Sequence, residues 1–513
     1  MNRRTCVSLL ALAVGLATLM MVGCGSGTSP LASSSSDSTG PTGSLVTFGT
    51  DQPSCDVQSF VVTIQSAALV QEGGTSVPIT PPGQPVDFAS LVDFTNILSF
   101  ASVSTGSYNG LTLTLTSPQL TYLNTSSNPP APVTLPTCAS GSTSGCTSFS
   151  DGSSTDTVNL MFSPPLMIST GGTAGLVVDF DMRDSVQTDA NGNITGVVDP
   201  QITVSPSVAS GTTLGEADTL YGVVATAPCT TNSGFTGCFS LQVQGGVGQI
   251  LTIQVNNNTD FQGDGVSSLS TLSPGTFVEV DAIVDTSGDI IAQEVDAEEQ
   301  VITTGQQGGF LGKIIGATYD SSGNATGFNL LVGREVSDMT SEVPLHSSLA
   351  VTLAANTYYQ VNWHHWNRRA LPFGPQTLGL AESVAVFGVL TAGTAGPPAT
   401  PATLTAGAVY LRQRNVLGTF KAALTGGTNG FTMVPCGDLF GGNTITVLTF
   451  ADSKWRGGLS GVSGLTPGPI INVAGLVFFE QANGPGTPPI WTGSSQSPTW
   501  VVQAKAVHQL PNQ

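Results

Sequence analysis

The stretch NNNTDFQG, residues 256–263, follows a run in which apolar and polar residues alternate from Leu251 to Val255. Such period-2 alternation indicates a β-strand with one buried face. The stretch itself combines amides, the carboxylate of Asp260 and the ring of Phe261, a composition that also suits a sugar-binding or calcium-binding loop. Whether the stretch is a site or a structural corner depends on whether its pattern recurs.

The pattern recurs twice: a hydroxyl residue, followed two positions later by an aromatic ring, ends an alternating strand. The three pairs are Thr259 and Phe261, Thr357 and Tyr359, and Ser453 and Trp455. The carboxylate does not recur, because Tyr358 and Lys454 stand at the positions that correspond to Asp260. The sequence therefore predicts a repeated structural corner, in which the hydroxyl satisfies the turn and a largely buried ring closes one end of a small barrel.

The repeat extends beyond the corner, since each copy opens on a glycine and closes on Ala-x-x-Val. The closing pairs are Ala292 and Val295, Ala406 and Val409, and Ala504 and Val507. About five short strands in each of three tandem copies predict small closed barrels of the OB-like kind. The first copy resembles domain of unknown function 5666, whose pattern includes Thr-x-Phe, Pro-Gly-x-x-Val-x-Val and Ala-x-x-Val. The second copy departs from that pattern by lacking Pro-Gly.

Residues 45–210 contain a different series of alternating strands, among them DVQSFVVTIQSAALV at 56–70 and AGLVVDFDMRDSV at 174–186. The series resembles domain of unknown function 4382 through its x-Val-x-Ile-x-x-Ala strand and its Leu-x-x-Asp-Phe-Asp close. An antiparallel β-sandwich is the physical expectation for such strands. Neither resemblance implies an activity.

The chain is thus predicted to be all-β, with an N-terminal antiparallel β-sandwich followed by three tandem OB-like barrels. The predicted segments are a signal peptide at 1–24, a tether at 25–44, the sandwich at 45–210, and barrels at 211–300, 301–413 and 414–513.

The first residues are typical of a bacterial export signal. Arg3 and Arg4 precede an apolar run, which ends in MVGC at 21–24. This ending resembles a lipobox and predicts that Cys24 becomes the lipidated first residue of the mature chain. The alternative is a plain membrane anchor that ends in an incidental cysteine. Gly25 favours the outer membrane, and the Ser/Gly/Pro-rich tether has a reach of roughly 25 Å.

The charge balance excludes some partners. The formal net charge is −20, and Lys and Arg together number 13. No basic stripe is available to neutralise phosphates, so we expect no nucleic-acid partner. The same balance disfavours docking of the folded surface on anionic lipid.

Six cysteines remain after Cys6 in the signal and Cys24 are set aside. Cys138 and Cys146 flank a short Gly/Ser/Thr loop, and so do Cys229 and Cys238. Outside the cytosol this spacing predicts two local disulfides. Cys55 and Cys436 stay unassigned.

Motifs that carry chemistry are scarce. The sequence has no G-x-S-x-G, no H-E-x-x-H and no phosphate-binding GK[ST], and it contains four histidines. We therefore expect neither an enzyme nor a cofactor.

Two groups of residues remain as candidate sites. Asp179, Asp181 and Asp184 have a spacing that a hard cation accepts, or they form a polar strand face beside Arg183. A second group lies in NWHHWNRR. Its aromatic rings and guanidinium suit a sugar or an aromatic ligand, and its adjacent histidines suit a transition metal. The alternative is that these side chains only cover an inserted segment. The residues of this second group are Trp363, His364, His365, Trp366 and Arg368.

Taken together, the sequence predicts a non-catalytic, lipid-anchored protein at the bacterial outer membrane or cell surface. Its role would be a binding or scaffold module for carbohydrate or an envelope protein. The alternative is an envelope polysaccharide hydrolase that uses the Asp carboxylates.

Overall fold

A computed structural model describes most of the chain from Gly40 onward. The described residues are 40–52, 54–55, 57–79, 83–91, 96–124, 130–142, 144–243, 250–263, 265–297, 307–335, 343–361, 371–393, 401–425, 429–480 and 499–510. Within these ranges the structure is nearly all β, as the sequence predicts.

The N-terminal module contains thirteen described strands. They are β1 (Thr42–Gln52), β2 (Val57–Gln71), β3 (Ser76–Pro78), β4 (Gln84–Asp87), β5 (Asn96–Ser104), β6 (Gly106–Asn124), β7 (Ala131–Leu135), β8 (Ser148–Phe149), β9 (Thr155–Ile168), β10 (Thr173–Asp181), β11 (Val186–Thr188), β12 (Ile194–Val198) and β13 (Ile202–Ser207). A 3₁₀ turn spans Phe88–Leu91, and the one-turn helix α1 spans Met182–Ser185.

Two sheets of this module face each other as a sandwich. One has the order β13-β10-β1-β5, and the other runs β3-β2-β6-β7 with β4 on β2 and β9 on β6. Leu45, Leu113 and Phe180 belong to the core between the sheets. The sandwich differs from the expected antiparallel arrangement at β1 and β10, which run parallel. The chain between these two strands passes through the other sheet. Alternation in the sequence predicts which face of a strand is buried, but it does not predict whether two paired strands run parallel or antiparallel.

The first barrel contains β14 (Thr213–Thr226), β15 (Gly237–Val243), β16 (Ile250–Val255), β17 (Asp260–Gly263), β18 (Phe277–Asp285) and β19 (Ile290–Ala297). Five strands pair in the order β16-β15-β14-β18-β19, and parallel pairing of β16 with β19 closes the barrel. The short strand β17 also pairs in parallel with β19.

The second and third barrels close in the same way. They contain β20 (Gln307–Tyr319), β21 (Ala325–Glu335), β22 (Ser348–Val361), β23 (Ser383–Thr391), β24 (Thr403–Ala423), β25 (Gly430–Pro435), β26 (Ile445–Leu448), β27 (Lys454–Arg456), β28 (Ile470–Glu480) and β29 (Thr499–Gln509). The closing parallel pairs are β22 with β24 and β26 with β29. The closed barrels match the fold class predicted from the repeat.

One strand, β24, belongs to two barrels. Up to Arg412 it pairs with β23 of the second barrel, and from Gln413 it pairs with β28 of the third. The boundary between these repeats therefore lies inside a continuous strand, which leaves no hinge between the two barrels.

The sandwich also packs on the first barrel. Val46 and Phe48, on the face of β1 that points away from the sandwich interior, join the core of that barrel. Gly215 of β14 is needed at this contact, because a Cβ there would lie 2.6 Å from Cζ of Phe48.

Candidate functional site

The corner of residues 256–263 holds the first barrel together. The Thr259 hydroxyl donates to the carbonyl of Ala292 (2.7 Å) and accepts from the backbone N–H of Asn256 (3.1 Å). Ala292 stands at a register shift in the pairing of β18 with β19. A β-bulge disrupts the ladder locally, and the corner hydroxyl supplies the donor for this carbonyl.

The other two corners repeat this geometry. Thr357 donates to Ala406 (2.9 Å), and Ser453 donates to Ala504 (2.7 Å). These alanines also stand at register shifts. The geometry supports the interpretation of the stretch as architecture, because three corners with different neighbouring residues make the same two bonds.

The corner rings are less buried than the sequence predicts. Phe261, Tyr359 and Trp455 pack against the cores of their own barrels, but each is only half-buried. Each ring stands beside the valine of Ala-x-x-Val, as Phe261 does beside Val295. The short parallel pairing covers one side of the ring and leaves the other side toward solvent.

The three aspartates predicted as a candidate metal site lie at one end of the sandwich. Asp179 and Asp181 stand on the same face of β10, two residues apart. The Asp181 carboxylate caps α1 by accepting from the backbone N–H of Asp184 (3.0 Å). Burial raises the pKa of Asp181 from its ordinary value. Asp181 thus already has a structural role as a helix cap.

A fourth carboxyl at this end was not predicted. Asp51 of β1 is 3% exposed, and its Oδ1 accepts from the backbone N–H of Met182 (3.2 Å). Among the described residues, no hydrogen-bond partner reaches Asp51 Oδ2. Burial, with the charges of Asp179 and Asp181 adding to it, raises the pKa of Asp51 well above its ordinary value. The group therefore favours its neutral, protonated form.

Alternation in the sequence did not reveal the burial of Asp51. In LVTFGTDQ (45–52) the residues at 45, 47, 49 and 51 share one face of the strand, and Leu45 faces the sandwich interior. Val46 and Phe48 occupy the other face, so alternation alone favours that face as the buried one. The burial of Asp51 follows from the packing of both faces of β1 in the tertiary structure.

These carboxyl groups do not come together as metal ligands. In the described part of the chain, no group of three or more His, Cys, Asp or Glu side chains has the arrangement needed to hold a metal ion. The predicted aromatic and histidine group at 363–368 lies outside the described residues.

Both predicted local disulfides are present, Cys138–Cys146 and Cys229–Cys238. The two unassigned cysteines form a third, Cys55–Cys436, which joins positions 381 residues apart. This bond connects the sandwich to the third barrel. Loop spacing could not reveal it, because its partners meet only through the tertiary fold.

Polar contacts link the sandwich to the second barrel near this disulfide. Lys313 of β20 donates to Oε1 of Gln58 (2.9 Å), and His346 Nε2 lies 3.2 Å from Oδ2 of Asp87. Removal of water around Lys313, together with the charge of Arg414, lowers the pKa of the Lys313 ammonium to about 7.

A second set of charges joins the first barrel to β24. Arg412 Nη2 lies 2.6 Å from Oε2 of Glu279, and its Nη1 lies 3.9 Å from Oδ2 of Asp296. Burial raises the pKa of Glu279, and Arg412 opposes that shift. Burial and the charge of Asp281 raise the pKa of nearby Glu294 to about 8.

The contact between the second and third barrels contains a buried carboxyl group. Glu382 is fully buried and accepts from the backbone N–H groups of Gly379 (2.9 Å) and Phe479 (3.1 Å). Trp500 of β29 donates to the carbonyl of Leu380 (2.8 Å). These bonds fix the 379–382 loop of one barrel on the strands of the other.

Of the helices that the structure describes, none has the length and apolar character of a membrane span.

Comparison with known proteins identifies two domain families. Residues 42–195 match Domain of unknown function (DUF4382), and residues 240–296 match Domain of unknown function (DUF5666). Both are the families that the sequence motifs resemble, in the same order along the chain. No curated protein matches the chain. A solved structure entitled "drosophila Unr CSD456" aligns at 10% identity over 58% of this chain and 99% of that chain, with a TM-score of 0.14.

Proposed function

We propose that this chain is a lipid-anchored envelope protein that acts as a braced binding or scaffold module for carbohydrate or protein at the bacterial surface. The Cys55–Cys436 disulfide carries the proposal. It closes almost the whole folded chain into one loop, so that the sandwich and the third barrel hold each other in place.

Two further observations support this reading. All six cysteines after Cys24 form disulfides, a usage typical of exported proteins. The module boundaries are braced by the shared strand β24, by the Arg412–Glu279 ion pair and by the bonds of Glu382. A rigid arrangement of four modules suits a protein that presents a fixed binding surface. It suits less well a protein whose modules must move apart and together during its function.

The test of anchoring is metabolic labelling with a fatty-acid analogue, with Cys24→Ala as the control variant. We expect the wild-type protein to be labelled and to sediment with membranes, and the variant to be neither. Equal labelling of the two proteins would contradict the lipid anchor.

The test of the binding role uses the full chain, incubated with purified envelope polysaccharide and with envelope protein extracts. We expect it to co-sediment with one of these materials without releasing reducing ends. Release of reducing ends that Asp179→Asn or Asp181→Asn abolishes would favour the hydrolase over the scaffold.

A further inference from the structure

The most exposed large apolar side chains lie on the sandwich. The three most exposed large apolar side chains that the structure describes are Val208, Met161 and Met167, at 86%, 71% and 64%. Met161 and Met167 lie on the outer face of the edge strand β9, and Val208 directly follows β13. Exposed apolar groups that cluster on one surface indicate an interaction site.

The two methionines are close together on the sheet. Met167 pairs with Ser107 of β6 and Met161 pairs with Gly110, because an irregularity in β9 accommodates extra residues between them. The two positions are therefore about 10 Å apart along β6. Gly110 is required at this irregularity, since a Cβ there would lie 2.7 Å from the carbonyl oxygen of Leu160.

This apolar surface lies where the chain enters the sandwich. The backbone N–H of Gly171 donates to the carbonyl of Thr42 (2.9 Å), so β1 begins against the β9–β10 turn. A Cβ at Gly43 would lie 2.7 Å from Cγ2 of Ile168, the residue after Met167. Ser207 pairs with Gly175 near the start of β10, which brings Val208 to the same end.

The three stretches of chain that form this surface carry no charged side chain. Residues 40–50, 157–176 and 201–214 contain no Asp, Glu, Lys or Arg. Acidic residues stand beside these stretches. The backbone N–H of Glu72 donates to the carbonyl of Ser107 (3.3 Å), and Asp285, which pairs with Thr213, begins a turn whose Gly288 lies against Thr173. An uncharged apolar surface suits a neutral partner and has no groups to attract an anionic one.

The proposed lipid anchor at Cys24 favours a lipid membrane as the partner of this surface. Thr42 is the first residue of β1, and fifteen residues lie between Cys24 and Gly40. The composition of that stretch predicts a reach of roughly 22 Å, which keeps this end of the sandwich at a high effective concentration beside the lipid. A small apolar surface that would bind lipid weakly on its own is then sufficient.

We propose that Met161, Met167 and Val208 form a docking surface that rests on the zwitterionic lipid surface holding the anchor. The inference rests on the lipid anchoring proposed above. It also orients the molecule, because β1 is eleven residues long and leads away from this end for about 33 Å to the region of Cys55. The Cys55–Cys436 bond and the third barrel then stand away from the membrane.

Methionine oxidation tests this docking, because oxidation follows exposure. Acylated protein on phosphatidylcholine vesicles is compared with soluble Cys24→Ala protein under dilute peroxide, with peptide mass spectrometry as readout. We expect Met161 and Met167 to oxidise about fivefold more slowly on the vesicles. Buried Met182 and Met433 report on folding and should stay unmodified in both samples.

A reporter far from the membrane makes the comparison specific. Val434 is 38% exposed and stands two residues from Cys436, at the opposite end from the anchor. The methionine introduced by Val434→Met should oxidise at the same rate in both samples. Anionic phosphatidylglycerol vesicles should protect Met161 and Met167 less, because the protein carries a net charge of −20.

Flotation separates the two proposals. Acylated protein that floats with the vesicles while Met161 and Met167 oxidise as fast as in solution would overturn the docking surface and leave the anchor intact. Equal protection of the Val434→Met reporter, or protection on anionic vesicles alone, would also overturn it. Acylated protein that fails to float would refute the anchor and the docking together.

Discussion

At the scale of single residues, three hydroxyl groups carry the repeated corner. Thr259, Thr357 and Ser453 each bridge a turn N–H and the carbonyl of an alanine at a bulge. A hydroxyl does this because it donates and accepts at once. The carboxylate of Asp260, which first suggested a site, is exposed and stands beside these bonds.

Thr259→Val should destabilise the first barrel by about 1–3 kcal/mol, because it leaves the Ala292 carbonyl and the Asn256 N–H without their partner. Asp260→Ala is the matched neighbour and should change the free energy of unfolding by less than about 0.5 kcal/mol. Urea unfolding of both variants measures the difference. Equal effects would contradict the structural role of the hydroxyl.

Asp51 gives a prediction about pH. Its pKa is raised in the folded protein, so the folded state binds a proton that the unfolded state releases. The free energy of unfolding should therefore fall as pH rises above the ordinary aspartate value, by up to about 1.4 kcal/mol per pH unit. Asp51→Asn keeps the shape and cannot ionise, so its stability should depend less on pH. A pH series of urea unfolding curves for both proteins tests this, and parallel curves would contradict it.

At the scale of elements, β24 joins two barrels and also contacts a third. Arg412 lies where its pairing changes from β23 to β28, and it reaches Glu279 of the first barrel. One side chain therefore touches the joint of all three barrels.

Arg412→Leu should cost about 3–5 kcal/mol, because it leaves the carboxylate of Glu279 partly buried without its cation. Arg412→Leu combined with Glu279→Leu should recover part of that loss, because the carboxylate of Glu279 is then gone, while Asp296 still loses its contact with the guanidinium. Urea unfolding of the two single variants and the double variant forms the test. A double variant no more stable than Arg412→Leu would show that packing, not charge pairing, sets the cost.

At the scale of the whole molecule, the long-range disulfide acts on all four modules. Cys55–Cys436 spans 381 residues, whereas Cys138–Cys146 spans 8. In the loop-entropy account, a bond that closes a longer loop restricts the unfolded chain more.

Replacing both Cys55 and Cys436 with serine should therefore lower stability by up to about 5 kcal/mol, against about 2–3 kcal/mol for the matched Cys138 and Cys146 pair. Limited proteolysis should also release the third barrel earlier in the first variant. Thermal unfolding and a protease time course check both expectations. Equal losses for the two pairs would mean that the long bond does not brace the molecule.

Several features of this protein followed from its sequence alone. The all-β fold, the three barrels, the two short disulfides and the two domain families each depend on local patterns. Each of these patterns lies within a few residues: the alternation in 251–255, the hydroxyl-ring corner and Ala-x-x-Val. The two short disulfides likewise join cysteines that are close together along the chain. Local geometry determines these features, so a local pattern is sufficient to predict them.

Only the tertiary structure decided the rest. The parallel pairing of β1 with β10, the Cys55–Cys436 bond, the place of Asp51 among other carboxyl groups and the half-exposed corner rings all depend on which distant segments meet. Burial, the pKa of a carboxyl group and the pairing of distant cysteines are set by neighbours in space. Met182 lies 131 residues from Asp51 along the chain, and Cys436 lies 381 residues from Cys55. An alternating strand specifies which face is buried, but not what will cover it.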